Sequence, residues 1–164
     1  MISEKKYRKG SIGALIDEYE RAAIDLKSLV EKISESDFEK IINPDTKDED
    51  CWSVQTIVSH VINSGYGYAN YLRECFIIIQ SSPTRKLFKQ NEFTSELDKM
   101  LFYTSETLVD KWEFSYDEIT KVVFNSRLGI KYDMEQILEH AIVHILRHRR
   151  QIEKFISSGL IKLN

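Results

Sequence analysis

Three histidines, His140, His144 and His148, fall within one short apolar stretch, and the fourth, His60, sits in a separate apolar segment. At four-residue spacing, imidazoles lie about one turn apart on nearly one face of a helix. Two such rings, joined by a third from a facing helix, fill three positions around a divalent ion and leave the remainder to water or substrate. Structural zinc is usually enclosed by four protein ligands, commonly including cysteine, whereas three protein ligands with an open position mark the sites that do chemistry. An ion held that way brings the pKa of a bound water towards neutrality, or carries a thiolate as the reactive nucleophile. Neutral imidazole suits zinc, nickel, copper and ferrous iron alike. Zinc is the default expectation, with nickel, iron and manganese as alternatives.

The elements that must position these rings are helices. The chain has only two prolines and six glycines, which favours long uninterrupted segments. Ile12, Leu15, Ile16, Tyr19, Ala22, Ala23, Leu26, Leu29, Val30 and Ile33 recur at helical intervals and predict a first helix from about Ser11 to Ser34. The polar run from Asn43 to Asp50 interrupts it. Ser53 is a fitting N-cap for a second helix that runs to about Gln80, where Ser81, Ser82 and Pro83 end it. Gly65 and Gly67 lie inside that helix and permit close approach of a ligand or another backbone. A third helix is expected over about Glu92 to Lys111. Thr120 to Asn125 and Ile130 to Tyr132 then read as two short strands around Ser126 and Gly129. Asp133 caps a last helix reaching Ile156, which Ser157, Ser158 and Gly159 stop.

His60 shares its helix face with Ile57, Ser64, Gly67 and Tyr71. His144 and His148 share theirs with Ile137, Ala141, Ile152 and Phe155, so both faces point inward. A buried polar group left without a partner costs about 1–3 kcal/mol, so such rings must find hydrogen bonds or a metal. One inward histidine is ordinarily a satisfied core residue; three together favour the ion.

The segment from Trp52 through His60, and the HxxxHRxQ pattern formed by His144, His148, Arg149 and Gln151, resemble the DinB/YfiT-like family of metal-binding four-helix bundles. The resemblance covers nearly the whole chain through helix order, with residue-level similarity in those two segments. It implies an all-α, up-up-down-down bundle with one long crossover and a short hairpin-like insertion before the last helix. It also implies that His60, His144 and His148 hold the metal, that the protein is frequently dimeric, and that some relatives join low-molecular-weight thiols to electrophiles or isomerise maleylpyruvate. By spacing alone His140 could pair with His144 instead; the Arg149 and Gln151 context selects His144 and His148. His140 is then expected to support the site from outside the ligand set or to satisfy the core.

Other residues are weaker candidates. Gln151, one turn beyond His148, lines the cavity or lies on the helix surface; Ser64 and Tyr71 offer hydroxyls to a substrate or simply pack. Arg147, Arg149 and Arg150 read as a solvated face that could also attract an anion. Asp17 and Glu18 are spare carboxylates assigned to the surface. Cys51 and Cys75 form no CxxC pair and read as reduced, unremarkable thiols. No phosphate loop, GxSxG or HExxH pattern occurs.

Length and composition set the outer limits. A chain of 164 residues is expected to form one domain spanning 1–164. A formal net charge of −3, with well-mixed signs, gives no nucleic-acid footprint and no basic cluster for a lipid surface. The longest apolar runs are far short of the roughly 20 residues a membrane span needs, and Met1 to Lys6 show no apolar signal stretch. A cytoplasmic location is expected. Aromatic residues around Phe102, Tyr103 and Trp112 could supply a homodimer interface or complete the core. Two classes of function remain. The first is a metal-dependent enzyme, a thiol transferase or related hydrolase acting on an electrophile, with no catalytic residue assigned. The second is a non-catalytic bundle that binds a metal or small ligand.

Overall fold

The computed structural model describes residues 6–127 and 129–164. Met1 to Lys5, the segment in which a signal stretch would begin, and Leu128 lie outside the described residues. Six helices and one two-stranded antiparallel sheet occur among those described.

Helix α1, Gly10–Val30, buries the expected stripe of Ile12, Ile16, Tyr19, Ala23, Leu26 and Val30. It stops short of Ser34, whose hydroxyl instead accepts from Asp37 N and caps a second short helix, α2, Glu35–Glu39. The polar run then closes with a 3-10 turn over Glu49–Cys51. Ser53 caps α3, Val54–Cys75, in a reciprocal box with Thr56.

Helix α3 ends at Cys75 rather than near Gln80, because Ile77 takes a left-handed φ of 56°. The Ile78 amide then bonds back to the Arg73 carbonyl at 2.8 Å, which satisfies an otherwise orphaned helix end. Ile79, which a helix reaching Gln80 would have included, is exposed beyond its end. The segment 76–89 is the long crossover. It returns along α3, taking hydrogen bonds from Asn70 at Ser82, from Asn63 at the Lys86 carbonyl and from Gln55 at the Phe88 carbonyl.

Helix α4, Gln90–Thr107, packs closely on α3 at Gly65, where any Cβ would lie 2.4 Å from Met100 Sδ. A short helix that periodicity did not reveal, α5, Tyr116–Lys121, precedes strands β1, Val123–Asn125, and β2, Lys131–Asp133. Phe124 pairs with Tyr132 across them. Asp133 then caps α6, Met134–Ser157, by accepting from Gln136 N while Gln136 accepts from Asp133 N.

Two apolar clusters give the helix directions. Ile12 and Ile16 of α1, Leu72 of α3, Leu108 just after α4, and Ile137 and Leu138 of α6 share one end. Leu26, Val54, Phe93 and Ile152 belong to the other. Thus α1 and α6 run one way and α3 and α4 the other, so the four long helices follow one another up, down, down, up rather than up, up, down, down, and the one long crossover joins the parallel pair α3 and α4; α6 lies between α1 and α3. This places the face of α6 that carries the histidines against α3.

Ile77 is a β-branched residue in a conformation that costs roughly 1–2 kcal/mol for any side chain, and it is 95% exposed, so no packing offsets the strain. Ile77→Gly is expected to raise stability by about 1 kcal/mol, the cost of glycine's extra unfolded-state freedom included. The midpoint of urea unfolding checks this.

Candidate metal centre

His60 projects from α3, and His144 and His148 project from α6, towards one point. His60 Nε2 lies 2.9 Å from His144 Nε2, and His148 Nε2 lies 3.3 Å from the same atom. The ligand atoms of the three rings all fall within 4.8 Å of one another. Nitrogens bound to one ion at about 2.0–2.1 Å stand about 3–3.5 Å apart, so the two short separations match a shared ion.

The opposite ring nitrogens decide the protonation. His60 Nδ1 donates to Asp50 Oδ2 at 2.8 Å, and His148 Nδ1 donates to Gln151 Oε1 at 3.2 Å. A carboxylate and an amide oxygen only accept, so each of these rings carries its proton on Nδ1 when neutral and turns an Nε2 lone pair inward. His144 Nε2 brings at most one proton between two lone pairs. At least one lone pair is therefore left facing its neighbours, and a cation satisfies it.

Burial keeps His144 and His148 neutral. His144 is only 8% exposed, and burial, reinforced by His148 and His60, pushes its pKa down to about 2. Burial and the neighbouring His60 likewise lower His148. Burial pushes the Asp50 carboxyl up, but the hydrogen bonds and charge of Arg85 and the neighbouring His60 outweigh it, and the net shift is downward. Asp50 stays a carboxylate: Oδ2 takes both the His60 proton and an Arg85 N–H, with Arg85 2.6 Å from each carboxylate oxygen. It orients the His60 ring as carboxylate partners do for metal-binding imidazoles.

The three rings border a cavity of about 290 Å³, shared with Asp48, Cys51, Arg147 and Gln151. Among the described residues no fourth histidine, cysteine or carboxylate completes the group. A water occupies about 30 Å³ of liquid, so there is room for a ligand larger than water.

The structure also places the other residues named from the sequence. His140 stays outside the convergence, edge-on to Tyr68 and Tyr132 at centroid distances of 5.3 and 5.6 Å. Ser64 and Tyr71 line a second cleft on the other side of Tyr68, and the Tyr71 hydroxyl accepts from the Arg127 amide. Gln151 faces the cavity rather than the helix surface. Arg147 also lines the cavity, while Arg149 pairs with Asp25 and Glu153 on the outside.

Two expectations need correction. Asp17 is not a surface group: its carboxylate is buried and takes both the backbone amide and the guanidinium of Arg8. Cys51 is not remote from the chemistry, since its thiol lines the histidine cavity and donates to Asp48 Oδ2 at 3.4 Å. Sequence reasoning also missed Asp50, Asp48, Tyr68 and Arg85. The polar run holding both aspartates looked like a solvated loop, and only its position before the Ser53 cap hinted that it abuts His60.

Two outcomes are expected. In metal-free protein, the unfolded chain takes up protons on its histidines below about pH 6.5 while folded His144 and His148 resist them. Stability is then full above that pH and falls as pH drops towards 5, by up to about 1.4 kcal/mol per unit for each such residue. Urea midpoints between pH 7.5 and 5 measure it, and a flat profile would contradict the burial. Asp50→Ala should weaken metal binding about 10–100-fold, the usual cost of losing a partner behind a ligating histidine. His144→Ala should abolish binding in the same competition against a chromogenic chelator.

The model of the DinB family matches residues 5–157, nearly the whole chain. No curated protein matches the chain in a sequence search. The family is metal-binding, and the convergence of His60, His144 and His148 provides a group able to hold an ion in this member. On the match along its length, the chain belongs to the DinB family.

Proposed function

We propose that the protein is a metal-dependent enzyme that joins a low-molecular-weight thiol to an electrophile, or hydrolyses a related substrate, at an ion held by His60, His144 and His148. The observation that carries this reading is the cavity beside the three Nε2 atoms, bordered by no fourth ligand of the group among the described residues. Three ligands and an open side are the arrangement of reactive rather than structural sites. Zinc is the ion we favour, with nickel, iron and manganese as alternatives.

The ion supplies Lewis acidity that brings a thiol or water to its anionic form near neutral pH. The chain's own residues do the rest. Asp50 and Gln151 hold the Nδ1 protons of His60 and His148 and so keep both inward nitrogens unprotonated. Asp48 is the carboxylate of the cavity wall, and in this reading it would receive the proton lost by the nucleophile. Arg147 brings positive charge to the same wall, which suits an anionic nucleophile or leaving group. The thiolate sulfur forms a bond to the electrophilic carbon, whose leaving group departs with the bonding pair. We also infer a homodimer: Phe102 on α4 is 68% exposed, whereas Tyr103 is buried and Trp112 packs against the core.

Metal-loaded protein screened with several low-molecular-weight thiols against a panel of electrophiles should show metal-dependent loss of free thiol. His148→Ala should lose both the metal and this activity. If the wild type holds the metal without turnover of any thiol or hydrolysable substrate, the non-catalytic metal- or ligand-binding bundle replaces this reading.

A further inference from the structure

We infer that the cleft beside the histidine cluster takes a small zwitterion, a molecule whose recognised end carries both a carboxylate and an ammonium group, as an α-amino acid does. The inference rests on the proposed function in one respect, that a substrate binds next to the ion. The cleft has a volume of about 450 Å³ and lies between α3, the crossover and the hairpin turn. It is coupled to the histidines through two of its walls. The Tyr68 ring stands 5.6 Å from the His144 ring, and Arg85 is held by the same Asp50 that holds His60.

Several polar groups of the cleft are already engaged with one another or with the backbone and side chains behind it. Asn70 accepts from the Tyr103 hydroxyl and donates to Ser82, and Asn63 donates to the Lys86 carbonyl. These groups set the shape of the cleft. Its charges are different. Among the described residues, neither the Arg127 guanidinium nor the Glu74 carboxylate has an ion-pair partner, and Arg85 spends one terminal nitrogen on Asp50, leaving its other N–H groups free. Two arginines and one glutamate thus line a single cleft with no ion pair among them. A simple anion would meet Glu74 unpaired, and a simple cation would meet two arginines. A ligand bearing both charges satisfies all three, the guanidinium forks taking its carboxylate and Glu74 its ammonium.

The test uses S-methyl-L-cysteine, whose thioether cannot yield a thiolate, together with its N-acetyl derivative and its methyl ester. Binding is measured by calorimetry on the metal-loaded and on the chelator-treated protein. The parent compound should bind about tenfold or more tightly than either blocked form, each of which lacks one charge-assisted contact. Arg127→Gln should reduce the penalty for esterification, Arg85 still facing the carboxylate, and Glu74→Gln should remove the penalty for acetylation, with each variant binding the parent about tenfold more weakly. Both residues are exposed, so the variants should melt with the wild type. Equal binding of the three compounds, no binding of any, or discrimination that survives both substitutions overturns the inference. Discrimination without turnover of any thiol upholds it while removing the enzymatic reading. Turnover without discrimination does the reverse.

Discussion

Nitrogen lone pairs brought within hydrogen-bond reach of each other repel unless a proton or a metal ion stands between them. Here three imidazole nitrogens crowd the seam between α3 and α6, and the protons that could relieve them are drawn to the far side of two rings by Asp50 and Gln151. The bundle holds this arrangement in a buried place, where taking up charge is costly. A divalent ion resolves the conflict. Much of the remaining architecture can be understood as the means of keeping the rings from turning away.

The crossover is central to that task. At its start, the guanidinium of Arg73, only 5% exposed, donates to the Ile79 carbonyl, the Tyr103 carbonyl, Thr107 and Glu106, and stacks 3.6 Å from the Tyr103 ring centroid. Towards its end, Arg85 reaches Asp50. One segment therefore bridges α4, α3 and the turn that carries the partner of His60. The left-handed Ile77 begins this path, turning the chain back along α3 where a longer helix would have carried it away. The same segment walls the cleft and contributes to it the guanidinium that is tied to the metal centre through Asp50.

The long helices and the histidine face were legible because amphipathic periodicity is strong in α1, α3 and α6 and because capping residues such as Ser53 and Asp133 announce their starts. Helix ends were read less well. Nothing in the run Phe76 to Ile79 distinguishes it from more helix, since its apolar character continues the pattern; a left-handed isoleucine is decided by tertiary contacts rather than by propensity. Helix α5 is too short to leave a periodic trace. At the site, the rings on α6 could be placed together from four-residue spacing and His60 from its inward helix face, while the resemblance selected His144 and His148 over a pairing of His140 with His144. Asp50, Cys51 and Arg85 could not be found that way. They come from irregular segments whose path depends on long-range hydrogen bonds, and irregular backbone carries no period that a sequence reveals.

The most direct test of the central claim is X-ray absorption spectroscopy of the protein loaded with one equivalent of zinc. Convergence of His60, His144 and His148 on an ion with an open side predicts three imidazole nitrogens and one further light-atom ligand that is replaced when a small thiol is added. A spectrum showing four protein ligands without exchange, or fewer than three imidazoles, would contradict it.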